Sequence, residues 1–131
     1  MKKITHFNND IISTYIGKGT DFKGTIHTQG SLHIEGNMEG EIHSQGEVFI
    51  GESSKVRSNI IAKHIVISGE VIGNVEALKG LEITKRGRLY GNITGDQLTI
   101  EEGAIYKGRV NMDVISSQNV YEGHLELVKT A

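Results

Sequence analysis

A five-residue cassette recurs along this chain every 15 to 18 positions: a large apolar residue, a free position, glycine, a free position, then isoleucine or valine. It reads Phe22-Lys23-Gly24-Thr25-Ile26, Met38-Glu39-Gly40-Glu41-Ile42, Val71-Ile72-Gly73-Asn74-Val75, Leu89-Tyr90-Gly91-Asn92-Ile93 and Tyr106-Lys107-Gly108-Arg109-Val110. Val56-Arg57-Ser58-Asn59-Ile60 carries serine in place of glycine, and Tyr121-Glu122-Gly123-His124-Leu125 is a seventh, looser copy. A fixed period of this length marks a solenoid, in which each repeat is one unit stacked on the next.

A second cassette interleaves with the first: Leu32-His33-Ile34, Val48-Phe49-Ile50, Ile65-Val66-Ile67, Leu81-Glu82-Ile83 and Leu98-Thr99-Ile100. Thr14-Tyr15-Ile16 opens this series and Ile115-Ser116-Ser117 closes it weakly. The isoleucines at 16, 34, 50, 67, 83 and 100 are separated by 18, 16, 17, 16 and 17 residues. No helical periodicity survives alongside them. Alternation over short runs, β-branched residues and 17 glycines indicate short strands joined by tight corners, about three to a repeat. Small residues such as Thr28, Ser44, Ala62, Ala77 and Gly95 recur where a narrow coil has least room inside.

The fold expected is all-β, a single-domain triangular parallel β-helix of about six to seven coils of ~17 residues, stacked at the roughly 4.8 Å spacing of paired strands. Periodicity alone does not set its handedness. Each coil buries four large side chains, each contributing roughly 1.5–3 kcal/mol when fully covered. No coil covers its own faces, because its neighbours do that. The expected divisions are a tail over residues 1–13, the β-helix over 14–127 and a tail over 128–131.

Composition excludes several functions. No run of apolar residues is long enough for a membrane-spanning helix, and the basic start lacks the apolar core of a secretory signal. With no cysteine there is neither a disulfide framework nor a thiolate metal site, which fits the cytoplasm. Fourteen basic against sixteen acidic residues, with few aromatics, give no basic stripe for nucleic acid.

Over residues 14 to about 113 the cassette order and length resemble the bactofilin family of bacterial cytoskeletal proteins. Residues Thr14-Tyr15-Ile16-Gly17-Lys18-Gly19-Thr20-Asp21-Phe22-Lys23-Gly24 are similar to that family's opening turn, and Ile100-Glu101-Glu102-Gly103-Ala104-Ile105-Tyr106-Lys107-Gly108 to its closing one. The resemblance implies a right-handed β-helix that polymerises with itself, without nucleotide, into thin filaments, often at the inner face of the bacterial membrane. A paralogous bactofilin is a further partner implied. So are roles in cell shape, envelope growth, motility or protein positioning. Two departures stand out: the chain has no proline and almost no tail, and the Tyr121 cassette adds a coil beyond the closing signature. The C-terminal contact surface is therefore expected on Tyr106, Tyr121, Leu125 and Leu127, with Tyr106 one coil inside the others.

The residues themselves lead to assembly by a separate route. A β-helix end exposes unpaired strand edges and the cut face of its core, and neither terminal segment reads as a helical cap. Stacking of two ends would bury Ile16, Phe22 and Ile26 on the N-terminal side. Two other readings of the N-terminal segment stand beside this one. Residues 4–12 could fold over the first coil through Ile4, Phe7, Ile11 and Ile12. Alternatively, Lys2, Lys3, Ile4 and Phe7 could touch an anionic membrane, each lysine contributing about 1 kcal/mol.

Outward positions form columns. One is Lys23, Glu39, Arg57, Ile72, Tyr90, Lys107 and Glu122, and another is Tyr15, His33, Phe49, Val66, Glu82 and Thr99. Ile72 beside Tyr90, and Phe49 beside Val66, are apolar pairs expected to face solvent, as a lateral or partner surface or as isolated apolar residues. Asn59, Asn74 and Asn92 share a column where stacked amides could hydrogen-bond along the rod. His27 and His43 fall on adjacent coils, but Ile61 comes next and no third ligand follows, so neither a metal nor a cofactor is expected.

No Ser/His/Asp grouping and no phosphate loop is visible, so no enzyme is expected. The enzymatic alternative is a hexapeptide-repeat acyltransferase, suggested by Ile16-Gly17-Lys18-Gly19 and Ile50-Gly51-Glu52-Ser53. It requires 18 residues per coil, whereas four of the five isoleucine intervals here are 16 or 17. A monomeric solenoid binding module is the other alternative. An extracellular adhesive or ice-binding solenoid would need a secretion signal and a threonine array, and the chain has neither.

Overall fold

The structure, a computed structural model, describes residues 12–112 and 125–127. Among these residues there are thirteen strands, numbered along the chain, and no helix; every pairing between strands is parallel. Parallel pairing between strands one repeat apart is what a coiled chain must produce, because each strand returns in the same direction one turn later.

Three faces result. The first is built from β1 (Ile12–Ile16), β3 (Ser31–Ile34), β5 (Glu47–Ile50), the last part of β6 (Lys55–Ile67), the last part of β8 (Val75–Ile83) and β11 (Leu98–Ile100). Its register aligns the isoleucine series, with Ile16 beside Ile34, then Ile50, Ile67, Ile83 and Ile100, giving six stacked coils. The second face takes the first parts of β2 (Asp21–Thr28), β4 (Asn37–Ser44) and β6, then β7 (Glu70–Ile72), β9 (Arg88–Tyr90) and the start of β12 (Ile105–Met112). The third continues those strands through β10 (Ile93–Gly95) and ends with β13 (Leu125–Leu127) beside β12. The solenoid expected from the repeat is the fold observed.

The core is the stack of inward residues. Met38, Val56, Val71, Leu89 and Tyr106 fill the second face, and Ile42, Ile60, Val75, Ile93 and Val110 the third, all buried. The small residues expected near the corners lie inward too, with Ser44, Ala62 and Ala77 buried. Buried hydroxyls find backbone acceptors: Ser54 Oγ donates to the Ile34 carbonyl at 2.7 Å and Ser44 Oγ to that of Gly30 at 2.9 Å. Among the described residues no buried side-chain polar atom lacks a partner, as a close-packed interior requires.

The cassette glycine has a steric cause. Gly40, Gly73, Gly91 and Gly108 have φ between 142° and 152°, a region L side chains rarely enter. A Cβ at any of them would run into the main-chain carbonyl of the cassette residue one coil earlier, namely Gly24, Ser58, Gly73 and Gly91 respectively. Backbones of successive coils touch here, which leaves no room for a side chain.

Asparagine repairs a gap at the same bend. Strands β2, β4 and β6 run straight through it, but in the next two coils the ladder is interrupted at Gly73-Asn74 and Gly91-Asn92. There Asn59 Oδ1 accepts the Asn74 N–H at 3.0 Å, Asn74 Oδ1 the Asn92 N–H at 3.0 Å, and Asn92 Oδ1 the Arg109 N–H at 3.3 Å. The asparagine column does join the coils, but by side chain to backbone rather than amide to amide.

Three local features differ from the sequence expectation. Strand β1 begins at Ile12, whose partner is Ser31, so the first face starts before residue 14 and Ile12 belongs to a strand rather than to an overlying cap. Strand β13 pairs Leu125 with Gly108 and Leu127 with Val110, whereas the cassette alignment would set Leu125 beside Val110. Strand β13 is therefore displaced by two positions from the cassette alignment. At the corner after Ala77, Leu78 and Lys79 stand opposite the single residue Lys63, a bulge that pushes Leu78 outward to 56% exposure.

Candidate functional site

A stacked rod offers two kinds of surface, its ends and its sides. At the N-terminal end Ile16 is 7% exposed, and Phe22 and Ile26 are only partly buried against the core. Their counterparts one coil inward, Met38 and Ile42, are 3% and 0% exposed. A coil covered from both directions buries these positions, and among the described residues the first coil is covered from one direction.

At Gly24, unlike the four later glycines, the near neighbour among the described residues is a side chain, the Phe22 ring. A Cβ placed on Gly24 would lie 3.5 Å from Cζ and 3.6 Å from Cε2 of Phe22. This is ordinary van der Waals contact, and Tyr106 lies beside its own cassette glycine in the same way, its hydroxyl 2.9 Å from a Cβ placed on Gly108.

Toward the C-terminal side, Tyr106 is not on an open face. It is 2% exposed, and its hydroxyl lies within hydrogen-bond distance of the carbonyls of Gly91 and Arg109. This corrects its assignment to the end surface and fits the view that it sits one coil inside. Leu125 and Leu127 lie on β13, the last described strand. Tyr121 falls outside the described residues, as do Lys2, Lys3, Ile4, Phe7 and Ile11.

On the sides, both expected apolar pairs are in register: Phe49 beside Val66, and Ile72 beside Tyr90. The first belongs to a longer aromatic strip. Tyr15 meets His33 edge-on with centroids 5.2 Å apart, and His33 meets Phe49 edge-on at 4.6 Å, both favourable ring geometries. The His33 Nε2–H donates to Glu35 Oε2 at 2.8 Å, which holds the imidazole between the two rings. On the second face Lys23 and Glu39, on adjacent coils, approach to 3.9 Å, as do Arg88 and Glu70 at 3.8 Å; pairs this exposed contribute little.

The third face carries a groove that sequence reasoning missed. It has a volume of about 710 Å³ and is lined by His27, His43, Ile61, Lys63 and Leu78, with polar residues of the neighbouring corners. The two imidazoles stack with centroids 4.7 Å apart and planes at 11°, and Ile61 follows them in the column. His43 Nε2–H donates to Glu41 Oε1 at 3.3 Å. Among the described residues no group of three or more His, Cys, Asp or Glu side chains could hold a metal ion. The sequence signals for this groove are the column of His27, His43 and Ile61 and the extra residue between Ala77 and Leu81.

One carboxyl is perturbed. Glu82 is held above its ordinary range, first by burial, then by the charge of Glu101 and a hydrogen bond with it. Glu82 lies in the column of Val66 and Thr99, one strand before the last described strand of the first face. No described helix is long and apolar enough to cross a membrane.

Against known proteins, residues 14–111 match the family model described as Bactofilin, polymer-forming cytoskeletal. The chain is 30% identical over 105 residues to Bactofilin BacP of Myxococcus xanthus (strain DK1622), a match covering 80% of this chain but 44% of that protein. It is 30% identical over 102 residues to Bactofilin BacO of the same organism, covering 78% of this chain and 81% of BacO. The chain thus spans less than half the length of the first relative and most of the second. No solved structure matches it.

Proposed function

Because the chain belongs to the bactofilin family of polymer-forming cytoskeletal proteins, we propose that its rods join end to end, without nucleotide, into filaments that serve as a scaffold. The observation that carries this reading is the first coil, where Phe22 and Ile26 remain partly open although the same positions are fully enclosed one coil inward. An incoming end would enclose them as Met38 and Ile42 are enclosed, and would pair strand edges that otherwise invite uncontrolled association.

The expected contact residues are Ile16, Phe22 and Ile26 at one end and Tyr121, Leu125 and Leu127 at the other. Side-to-side pairing of filaments through Phe49 with Val66 and Ile72 with Tyr90 is proposed on their register and on partial exposure, Ile72 being exposed and the other three half-buried. Contact with the inner face of the cell membrane through Lys2, Lys3, Ile4 and Phe7 rests on those residue types. Roles in cell shape, envelope growth, motility or protein positioning rest on the family. Two such relatives in one organism support copolymerisation with a paralogue. A cytoskeletal family also leaves the acyltransferase alternative without support.

High-speed sedimentation of the purified chain tests the proposal. Pelleting in plain buffer, unchanged by added nucleotide and lost in Phe22→Arg, is expected. Pelleting only with nucleotide, or none under any condition, would contradict it.

A further inference from the structure

Ile72 is 41% exposed and stands at the centre of an outward column that reads Glu39, Arg57, Ile72, Tyr90 and Lys107 from one coil to the next. The column is ordered about that centre. Two coils before Ile72 stands a carboxylate and two coils after it an ammonium; one coil before stands a guanidinium and one coil after an aromatic ring. Past the cassette glycine the order repeats, with Glu41 on the strand of Glu39 and Arg109 on the strand of Lys107. Uncharged Asn59, Asn74 and Asn92 lie between them. Within the rod Glu39 approaches Lys23 to 3.9 Å and Glu41 accepts from His43 at 3.3 Å, and both carboxylate side chains remain more than half exposed.

We propose that this strip is a self-complementary side contact, on which a second copy lies in the opposite direction about a two-fold axis through Ile72. Turning one rod end for end about that axis sets Ile72 on Ile72, Arg57 on Tyr90, Glu39 on Lys107 and Glu41 on Arg109, the last three contacts each made twice. Coils stack at a constant spacing, so aligning the central pair aligns the rest. A guanidinium over a phenol ring and opposite charges across the contact are both attractive. Rods laid in register in the same direction would instead set Lys107 on Lys107 and Glu39 on Glu39, and that repulsion selects the direction. The occupant is a second copy rather than an anionic surface, because Glu39 and Glu41 share the strip and would be repelled by one. In the neighbouring column Lys55 would face Arg88, whose charge Glu70 of its own rod already meets at 3.8 Å, so the contact centres on Ile72.

Area decides when the contact forms. Five coils at roughly 4.8 Å, two outward positions wide, cover about 300 Å² per rod, well under the roughly 800 Å² per partner of a stable pair. Lone rods should not pair, whereas filaments should, because the contact recurs along their length. The inference therefore rests on the end-to-end reading above and gives the lateral contact named there a direction and a set of partners.

The test images the whole chain, assembled without nucleotide, by negative-stain electron microscopy beside Arg109→Glu and the exchange of Arg109→Glu with Glu41→Arg. Bundles lost in the single variant, with single filaments retained, and regained in the exchange are expected; melting curves establish that both variants are folded. Direction is read with a short bismaleimide, since the chain has no cysteine of its own. Ile72→Cys should couple with itself between rods and Lys107→Cys should not, whereas coupling of both would mean parallel rods and overturn the proposal. Single filaments in the exchange variant would also overturn it and point to an anionic partner for the basic residues. Wild-type filaments that never bundle would overturn the side contact and leave end-to-end assembly standing. Failure of the wild type to form filaments would overturn both.

Discussion

The hydroxyl oxygen of Tyr106 lies 2.9 Å from the carbonyl oxygen of Gly91, one coil earlier, and 2.8 Å from that of Arg109 in its own coil. One proton thus serves two acceptors across a coil boundary, at a residue that is buried to 2% exposure. The tyrosine is a strut between coils rather than part of an end.

Tyr106→Phe should therefore keep the fold and lower its stability by about 0.5–1.5 kcal/mol, the usual net worth of one hydrogen bond. Urea unfolding measures the loss. Filament formation should be unchanged, because an inner residue takes no part in the joint.

Gly91→Ala should cost more. The methyl group would meet the Gly73 carbonyl, and φ is 150°. Strain of this kind costs about 1–3 kcal/mol before any packing shift is added. Thermal melting should fall further in this variant than in Tyr106→Phe.

Glu82 gives a pH dependence of unusual sign. Its raised value means that the folded chain holds this proton more tightly than the unfolded chain does. The carboxyl's contribution therefore favours the fold at low pH, below its ordinary range, and falls away as pH rises through the native value. Glu82→Gln, which imitates the protonated form, should raise the melting temperature at pH 7, with the gain shrinking toward about pH 4. A melting series against pH checks this, and a constant gain at every pH would contradict it.

Lateral pairing, if it uses the in-register patches, should respond to charge. Phe49→Lys with Tyr90→Lys should leave single filaments intact and abolish bundles under the electron microscope. Bundles that persist in the double variant would mark these residues as ordinary surface apolar groups.

Much of the rod was legible in the sequence because inward positions recur with the coil. The isoleucines from Ile16 to Ile100 fall in one column as their spacing predicts, and Ile61 interrupts the histidine column as expected. What was not legible depends on backbone detail. The asparagine bond runs to a backbone N–H because the strand is interrupted at that point, which side-chain identity alone does not reveal. Leu78 reaches solvent through a one-residue bulge that the cassette spacing averages away. The displacement that sets Leu127 beside Val110 arises in the loosest copy, where the apolar pattern fits two alignments.

The central claim is that these rods assemble through their ends unaided. Negative-stain electron microscopy of the purified chain in buffer without nucleotide, beside a variant carrying Phe22→Arg and Tyr121→Arg, tests it most directly. Thin unbranched filaments of the wild type, reduced to discrete particles in the variant, are the predicted result. Discrete particles in both samples, or filaments that survive both charges, would contradict it.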